Sequence, residues 1–486
     1  MTGRESPATP ESVAQPVPGP GARTPPAIVP QHAVLVLPST AEFDSRTYRI
    51  ASSLAARGHD VTVMARLAPG LPALETHPAG YRIVRVPVSA IDGLPMAEWV
   101  RSRLERAWAR LRGSGRAPVA AAGGAGHAAA SREPLDAAVG SRPPTTTGRV
   151  SRASGSLRRL LAIALTVRSQ RRRTVAVAPP ADLVHGMAYM GIPVALAVGQ
   201  QRRAPVVYDA RDIYLDAGNL ARLPGPARRL FGRLERGWAQ KADRVITVNR
   251  PYAEVMAGRF GIPEPLIVMN CAYRYEPPPT ERRRRFHDIL GLPAEARVVL
   301  YQGGFSLDRG IEQLVAAIGD VPGAVLVCMG YGALQPELDA IAADPARRDG
   351  ELGPRVRILP AVPPAELLDW VASADVVAMP IQPTTLNHRL TTPNKLFEAM
   401  AAGVPVVASD LPGMAAIVRE TGCGLLVDPA SPDAIAAACR TILDAPPEER
   451  RAYGERGLAA AHERYSWETQ VERLVEEYGR LTGRLW

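Results

Sequence analysis

An α/β fold with two doubly wound parallel sheets is what the sequence predicts, and three observations predict it. The chain has 486 residues, too many for one ordinary core and enough for two domains of roughly 200 residues each. Apolar runs of strand length alternate with segments of helical periodicity. That alternating series breaks off and begins again near residue 296.

The first series opens with AVLVL (33–37), a buried strand by composition. SRTYRIASSLAARG follows, with Tyr48, Ala51, Leu54 and Ala55 at helical spacing and Gly58 as its stop. DVTVMA (60–65), YRIVRV (81–86), DLVH (182–185), PVVYD (205–209), DRVITV (243–248) and LIVMN (266–270) supply further strands, most of them separated by helical segments. Apolar strands alternating with helices imply a parallel sheet covered on both faces. The second series holds ARVVLYQG, then IEQLVAAIGD with Ile311, Leu314, Val315 and Ile318 on one helical face. AVLVCMG (324–330), VRILP (356–360), ADVVAMP (374–380), VPVVAS (404–409) and GLLV (424–427) complete it. Residues 31–275 and 285–464 therefore form two Rossmann-like halves, with RRRRFHDILGL as a linker or edge. YSWETQVERLVEEYGRL makes a last helix within 465–486, with Trp467, Val471, Leu474 and Tyr478 at near-helical spacing.

Two segments stand apart. Residues 1–30 hold eight prolines and no apolar run of signal-peptide length, which predicts a disordered tail. GSGRAPVAAAGGAGHAAASREPLDAAVGSRPPTTTGRVSRASGS (113–156) is low-complexity and reads as a disordered insertion between basic helical stretches. Between Arg101 and Arg173 there are sixteen arginines against three acids, so this region alone exceeds the chain's net charge of +10. The basicity belongs to one segment, without aromatic interleaving, and argues against nucleic acid. The leucine-rich, arginine-flanked stretch 157–173 suits an anionic membrane surface, and equally a solvated linker. No apolar run approaches the about 20 residues of a spanning helix. Cys271, Cys328, Cys423 and Cys439 form no CxxC motif and sit in apolar contexts, as buried thiols in a reducing cytoplasm would.

In a doubly wound sheet, ligands bind where strands end and helices begin. YQGGFSLDRGIEQL puts Gly303 and Gly304 after a strand and Arg309 before a helix. Bare amides with one guanidinium suit a diphosphate, although a tight turn with a surface arginine has the same sequence. MGYGALQPEL, with Gly330, lacks the third glycine of a dinucleotide fingerprint. TTPNKLFEAMAAGVPVVASD (391–410) carries most. Thr392 suits an N-cap and Pro393 the first helical position, which leaves free amides and a positive dipole end for an anion. Lys395 adds a full charge. Glu398, one turn deeper on the same side, can accept two hydrogen bonds from a vicinal diol. Phosphate at the mouth and diol one turn in is the layout of a nucleotide; the competing reading is a surface Lys–Glu pair.

LFEAMAAGVPVVASDLPGMAAIV resembles the C-terminal signature of nucleotide-sugar glycosyltransferases of the GT-B fold, specifically glycosyltransferase family 4. ADVVAMP, DPASPDAIAAA, ADLVHGMAYMGIPVALA, APVVYDARDIY, KADRVITVN and the terminal YSWE helix match in order. The resemblance implies a retaining transferase with two Rossmann-like domains facing a cleft and the last helix crossing back to the first. The donor would lie mainly in the second domain and the acceptor in the first. Glu398 would hold the ribose hydroxyls and Arg309 the donor phosphates; Gly303, Gly304, Gly330, Thr392, Asn394 and Lys395 complete the expected donor-binding set. The catalytic candidates are Asp209, Arg211, Asp212 and His185. The first three fall where relatives carry a histidine or acid near the sugar. His185, at a strand end facing the cleft, would contact the sugar or assist deprotonation, or is equally a packed strand-end histidine. Asp44 and Arg46 lie in a loop toward the acceptor. The family's Glu-x7-Glu pattern has Leu390 in place of its first glutamate, and Gly304 stands where an arginine is usual. Lys395 and Arg309 would then share the phosphate contact as a split clamp.

The resemblance further implies front-face attack, with no protein nucleophile, metal or cofactor; the nucleotide sugar is a substrate. The expected acceptor is a lipid-linked or anionic glycan, and the expected location the cytoplasm or the inner face of the cell membrane. A catalytically impaired subunit of the same fold, motivated by Leu390 and Gly304, is the alternative. A nucleotide-sugar epimerase of the same fold fits the LFEAMAAG environment less well.

Overall fold

A computed structural model of the protein describes residues 29–42, 44–89, 148–279 and 283–486. The Pro-rich tail up to residue 28, residues 113–147 of the low-complexity segment, and RSRLERAWARLR lie outside the described residues.

Two parallel sheets carry the chain. The first contains β1 (His32–Val36), β2 (Asp60–Arg66), β3 (Leu74–Thr76), β4 (Arg82–Val86), β5 (Leu183–Met187), β6 (Val206–Asp209), β7 (Arg244–Thr247) and β8 (Leu266–Ile267). Their spatial order is β3-β4-β2-β1-β5-β6-β7-β8, parallel except for β3 against β4. β3 has no counterpart in the sequence reading, because its LET side chains are mostly exposed and offer no apolar run. The second sheet is built from β9 (Arg297–Phe305) and β10 (Ala324–Gly332) and, beyond a two-residue hairpin pair β11 (Arg348–Asp349) and β12 (Gly353–Pro354), from four more strands. These are β13 (Val356–Leu359), β14 (Val376–Met379), β15 (Val406–Ser409) and β16 (Gly424–Val427). Its order is β13-β10-β9-β14-β15-β16, so the winding direction reverses between β9 and β14. The β9–β14 register ends at Val377↔Leu300 while β9 runs on to Phe305, which opens a crevice at that reversal.

Each sheet is apolar on both faces, as continuous strand runs require. Val34, Val36, Val184 and Tyr208 face one core of the first domain; Ala33, Leu35, Leu183 and Val207 face the other. The terminal helix Trp467–Thr482 returns to that second core with Trp467, Val471, Leu474 and Tyr478. The chain passes between domains twice, side by side: Cys271 and Ala272 already lie in the second domain's core, and the Trp467 amide donates to the Ala272 carbonyl at 2.7 Å.

Three local expectations need correction. Residues 148–156, read as part of a disordered insertion, begin the 30-residue helix Gly148–Val177. RRRRFHDILGL is not merely a linker, since Arg285–Leu290 is helical and Phe286 is fully buried in the second core. The helix of the TTPNKLFEAMA segment starts at Asn394, one turn position later than the capping pattern suggests, with Pro393 as a cap that supplies no side-chain bond. The four cysteines are free and buried.

Candidate functional site

The carboxyl end of β9 meets the helix Asn394–Ala401 at the winding reversal of the second sheet, the place where such sheets bind ligands. Glycine is required there. Gly303 has φ +119°, and a Cβ on Gly330 would stand 2.0 Å from the Gly303 carbonyl oxygen. The two strands thus run together with bare backbone at their tips. Lys395 lies over this bare stretch: a Cβ on Gly303 would be 3.8 Å from its Nζ. Its ammonium sits 3.7 Å above the Tyr301 ring centroid, a cation–π contact. Among the described residues neither Lys395 nor Arg309 makes a hydrogen bond or ion pair. Burial first, and the Arg309 charge second, lower the Lys395 pKa to about 7, against a smaller opposing pull from Glu398. Two neighbouring cations, neither of them ion-paired among the described residues and only partly offset by Glu398, can take up an anion.

Glu398 lies on the first turns of the same helix and is buried, with Gln302 Nε2 donating to its Oε2 at 3.0 Å. Gln302 was not foreseen; its signal was a polar residue in the otherwise apolar run before the glycine pair. Gly303, Gly304, Arg309, Lys395 and Glu398 are therefore gathered at one strand tip, as the sequence reading expects.

Thr392 and Asn394 are engaged elsewhere. The Thr392 hydroxyl is buried, donates to the Gly413 carbonyl at 3.2 Å and accepts from Asn249 Nδ2 at 3.0 Å. Asn394 Oδ1 accepts from Asn270 Nδ2 at 2.9 Å. Both join the second domain to the first rather than opening toward a phosphate. Leu390, where the family pattern has glutamate, packs with Leu386 on the first domain's core, and its carbonyl accepts from Asn249 at 2.8 Å. Asn387 completes this joint. Its Oδ1 accepts from the Ile213 amide at 2.8 Å, its Nδ2 donates to Asp212 at 3.0 Å, and its carbonyl accepts from the Tyr252 hydroxyl at 2.8 Å. The sequence signals only that Asn249 caps the helix Arg250–Phe260; its bonds to the second domain, like those of Tyr252 and Asn387 across the joint, reach partners more than 130 residues away.

The first-domain candidates divide into an interior group and a rim pair. His185 is fully buried, with Nδ1 against the Tyr478 hydroxyl and Nε2 at 3.3 Å from Asp209 Oδ2. Arg46 Nε reaches the same Asp209 oxygen at 2.5 Å and its Nη1 donates to the Val268 carbonyl at 2.8 Å. Burial would raise the Asp209 carboxyl; Arg46 and His185 outweigh it and hold the pKa well below the usual range. His185, by contrast, is lowered by burial, so it stays a neutral ring. His185, Asp209 and Arg46 thus form an enclosed network that fastens the terminal helix to the sheet, and none of them faces the cleft. Arg211 and Asp44 do stand at the rim: Arg211 Nη1 contacts both Asp44 oxygens at 3.0 and 2.8 Å, with side chains 24% and 13% exposed. Asp44 also caps the helix Ser45–Ala56 by accepting from the Thr47 amide. Among the described residues no cluster of three or more His, Cys, Asp or Glu could hold a metal ion.

Comparison with known proteins bears on the family and the fold. The glycosyl transferases group 1 family matches residues 296–445, and the glycosyl transferase 4-like domain matches residues 100–271. The chain is 27% identical over 317 residues to a D-inositol 3-phosphate glycosyltransferase of Xylanimonas cellulosilytica, covering 62% of this chain and 73% of that one. It is 35% identical over 210 residues to the protein of that name from Corynebacterium urealyticum, covering 42% and 46%. In fold it resembles sucrose-phosphate synthase from Thermosynechococcus elongatus, with TM-score 0.62 and 21% identity over 93% of this chain and 99% of that one. Anabaena HepE, solved with UDP and glucose, gives TM-score 0.60 and 16% identity over 93% and 100%.

Proposed function

This chain belongs to the GT-B glycosyltransferases of the family 4 type, and from that premise we propose that it moves a sugar from a nucleotide-diphosphate sugar to its acceptor with retention of configuration. The observation that carries the donor reading is the pair of unpartnered cations, Lys395 and Arg309, beside the bare Gly303–Gly304 backbone. A diphosphate would lie across them, with the ribose hydroxyls on Glu398 one turn deeper. In the step itself, the bond from the anomeric carbon to the diphosphate oxygen breaks. An acceptor hydroxyl forms its bond on the same face, and its proton passes to the departing phosphate oxygen. Lys395 and Arg309 would stabilise the charge that develops on that leaving group. This chemistry calls on no metal and no protein nucleophile.

An anionic acceptor is supported by the relatives named for a phosphorylated inositol. The finer reading is a lipid-linked or cell-envelope acceptor met at the inner face of the membrane. No described helix is long and apolar enough to cross a bilayer. The helix Gly225–Ala239, however, exposes Leu230 and Leu234 beside Arg229, Arg233 and Arg236, which supports docking on an anionic surface. Co-sedimentation with vesicles rich in anionic lipid should be lost in Leu230→Ser/Leu234→Ser; equal binding by the variant removes this helix from the account.

A thermal-shift screen of UDP-, GDP-, ADP- and dTDP-sugars tests the donor reading. At a hundredfold excess over Kd the matching donor stabilises the native state by about 2.7 kcal/mol. Absence of any shift, together with absence of nucleotide-sugar hydrolysis, would overturn it and favour an impaired subunit. That alternative draws its support from Leu390, which packs on the first domain where a sugar-contacting glutamate is expected.

A further inference from the structure

The loss of that glutamate leaves the transferred sugar without its expected contact on this segment, and the short helix Leu386–Arg389 presents another. One side of the turn is fixed to the first domain by Leu386, Asn387 and Leu390. His388 is partly exposed, and two threonines set its position. Thr385 Oγ1 accepts from the His388 amide at 3.1 Å, and Thr384 Oγ1 lies 3.0 Å from ring Nδ1. Nε2 makes no hydrogen bond within the protein among the described residues. The charges that act on this ring come from Arg309 and Asp308 on the donor loop and from Asp212 on the first-domain loop after β6. The segment that carries His388 is tied on one side to the Arg309 loop, where the Gln382 amide donates to the Asp308 carbonyl at 3.0 Å, and on the other to the first domain, where Asn387 Nδ2 donates to Asp212 at 3.0 Å. A sugar carried on a diphosphate at Arg309 would then lie beside this segment.

We infer that His388 is a donor-positioning residue whose Nε2 edge hydrogen-bonds a hydroxyl of the transferred sugar. The inference rests on the donor reading above and adds to it the residue that reads the sugar. Burial, and then Arg309, lower the His388 pKa below its ordinary value, so the ring is neutral at working pH and offers a single hydrogen-bonding edge. With Nδ1 committed to Thr384, that edge is Nε2. The residue type also fits discrimination. A site built to hydrogen-bond one hydroxyl rejects sugars that lack it or present it differently, because the ring atom, covered by the bound sugar, is then left unpaired.

The test compares two ligands on the full chain by titration calorimetry: the nucleotide sugar that stabilises the wild type, beginning with UDP-glucose, and its matched nucleoside diphosphate. His388→Ala should weaken nucleotide-sugar binding about tenfold, the size of one hydrogen bond of this kind, and leave the nucleoside diphosphate unchanged. His388→Gln, whose amide reaches near the Nε2 position, should recover part of the loss. Thr384→Val, which frees the ring without removing it, should give a smaller loss in the same direction and serves where His388→Ala does not fold. Equal binding of the nucleotide sugar by wild type and His388→Ala overturns the inference, as does parallel weakening of both ligands. A wild type that binds the diphosphate but no nucleotide sugar also overturns it. If the wild type binds neither, the donor reading itself falls.

Discussion

Charge is handled in opposite ways at the carboxyl ends of the two sheets. In the first domain Arg46, Asp209, His185 and Tyr478 meet in the interior, each no more than 1% exposed; Asp209 Oδ2 meets both Arg46 and His185, while Asp209 Oδ1 and Arg46 Nη2 have no hydrogen-bond partner among the described residues. In the second domain Lys395 and Arg309 lie near one another at a strand tip, neither hydrogen-bonded nor ion-paired among the described residues, and Glu398 offsets the Arg309 charge at Lys395 only in part. Both clusters consist of ionisable groups at strand ends, so residue type alone does not separate them. The difference teaches that a buried charge with its partner in place is part of the fold, whereas charges left without one await a ligand.

Arg46→Leu should break this comparison most visibly if it is wrong. The variant leaves the Asp209 carboxylate buried and unpaired, which costs about 3–5 kcal/mol and lowers the urea midpoint with little change in donor KM for the protein that remains folded. Unchanged stability with lost donor binding would move the functional site into the first cluster. Lys395→Met comes next. Its kcat/KM for the donor should fall about 10²–10³-fold, the effect of removing one donor that stabilises a developing anion. Its Tm should stay level or rise, because a partly buried ammonium with no partner is removed. A large drop in Tm with unaltered kinetics would make Lys395 structural.

The smallest effect sharpens the comparison through pH. Lys395 with a pKa of about 7 is charged below that value, so affinity for the nucleotide sugar should be flat there. Above pH 7 the free protein loses the cation, and affinity should weaken by up to about tenfold per unit. Lys395→Arg, always charged, should show a flat profile. The unliganded protein responds with the opposite sign. Between pH 7 and the unfolded lysine value near 10.4, the unfolded chain holds the extra proton, so this group makes native stability rise with pH. A wild-type affinity as flat as that of Lys395→Arg would mean that this lysine does not meet the diphosphate.

Much of the donor grip was legible because it lies within short stretches. Gly303, Gly304 and Arg309 belong to one loop, and Lys395 and Glu398 to one helical turn, so their chemistry and spacing are written together. The first-domain candidates were not legible in the same way. His185, Asp209 and Arg46 have the residue types of an active site, but their burial depends on Tyr478 and Val268 closing around them from distant parts of the chain. Thr392 reads as a free helix cap until Asn249, 143 positions earlier, takes its hydroxyl.

By itself the sequence determined the two parallel sheets and the composition of the Gly303–Arg309 loop, whereas the return of the last helix was implied only by the family resemblance. The sheets and the loop follow from strand and helix periodicity, from glycine's freedom and from local capping, all of which act within about ten residues. Only the tertiary structure decided which ionisable groups would be enclosed, and that Asn387, Asn249 and Leu390 would join the domains. It also tied the segment carrying His388 to the first domain through Asn387 and Asp212. Burial and partnership are set by contacts between segments far apart in sequence, and local pattern carries no record of them.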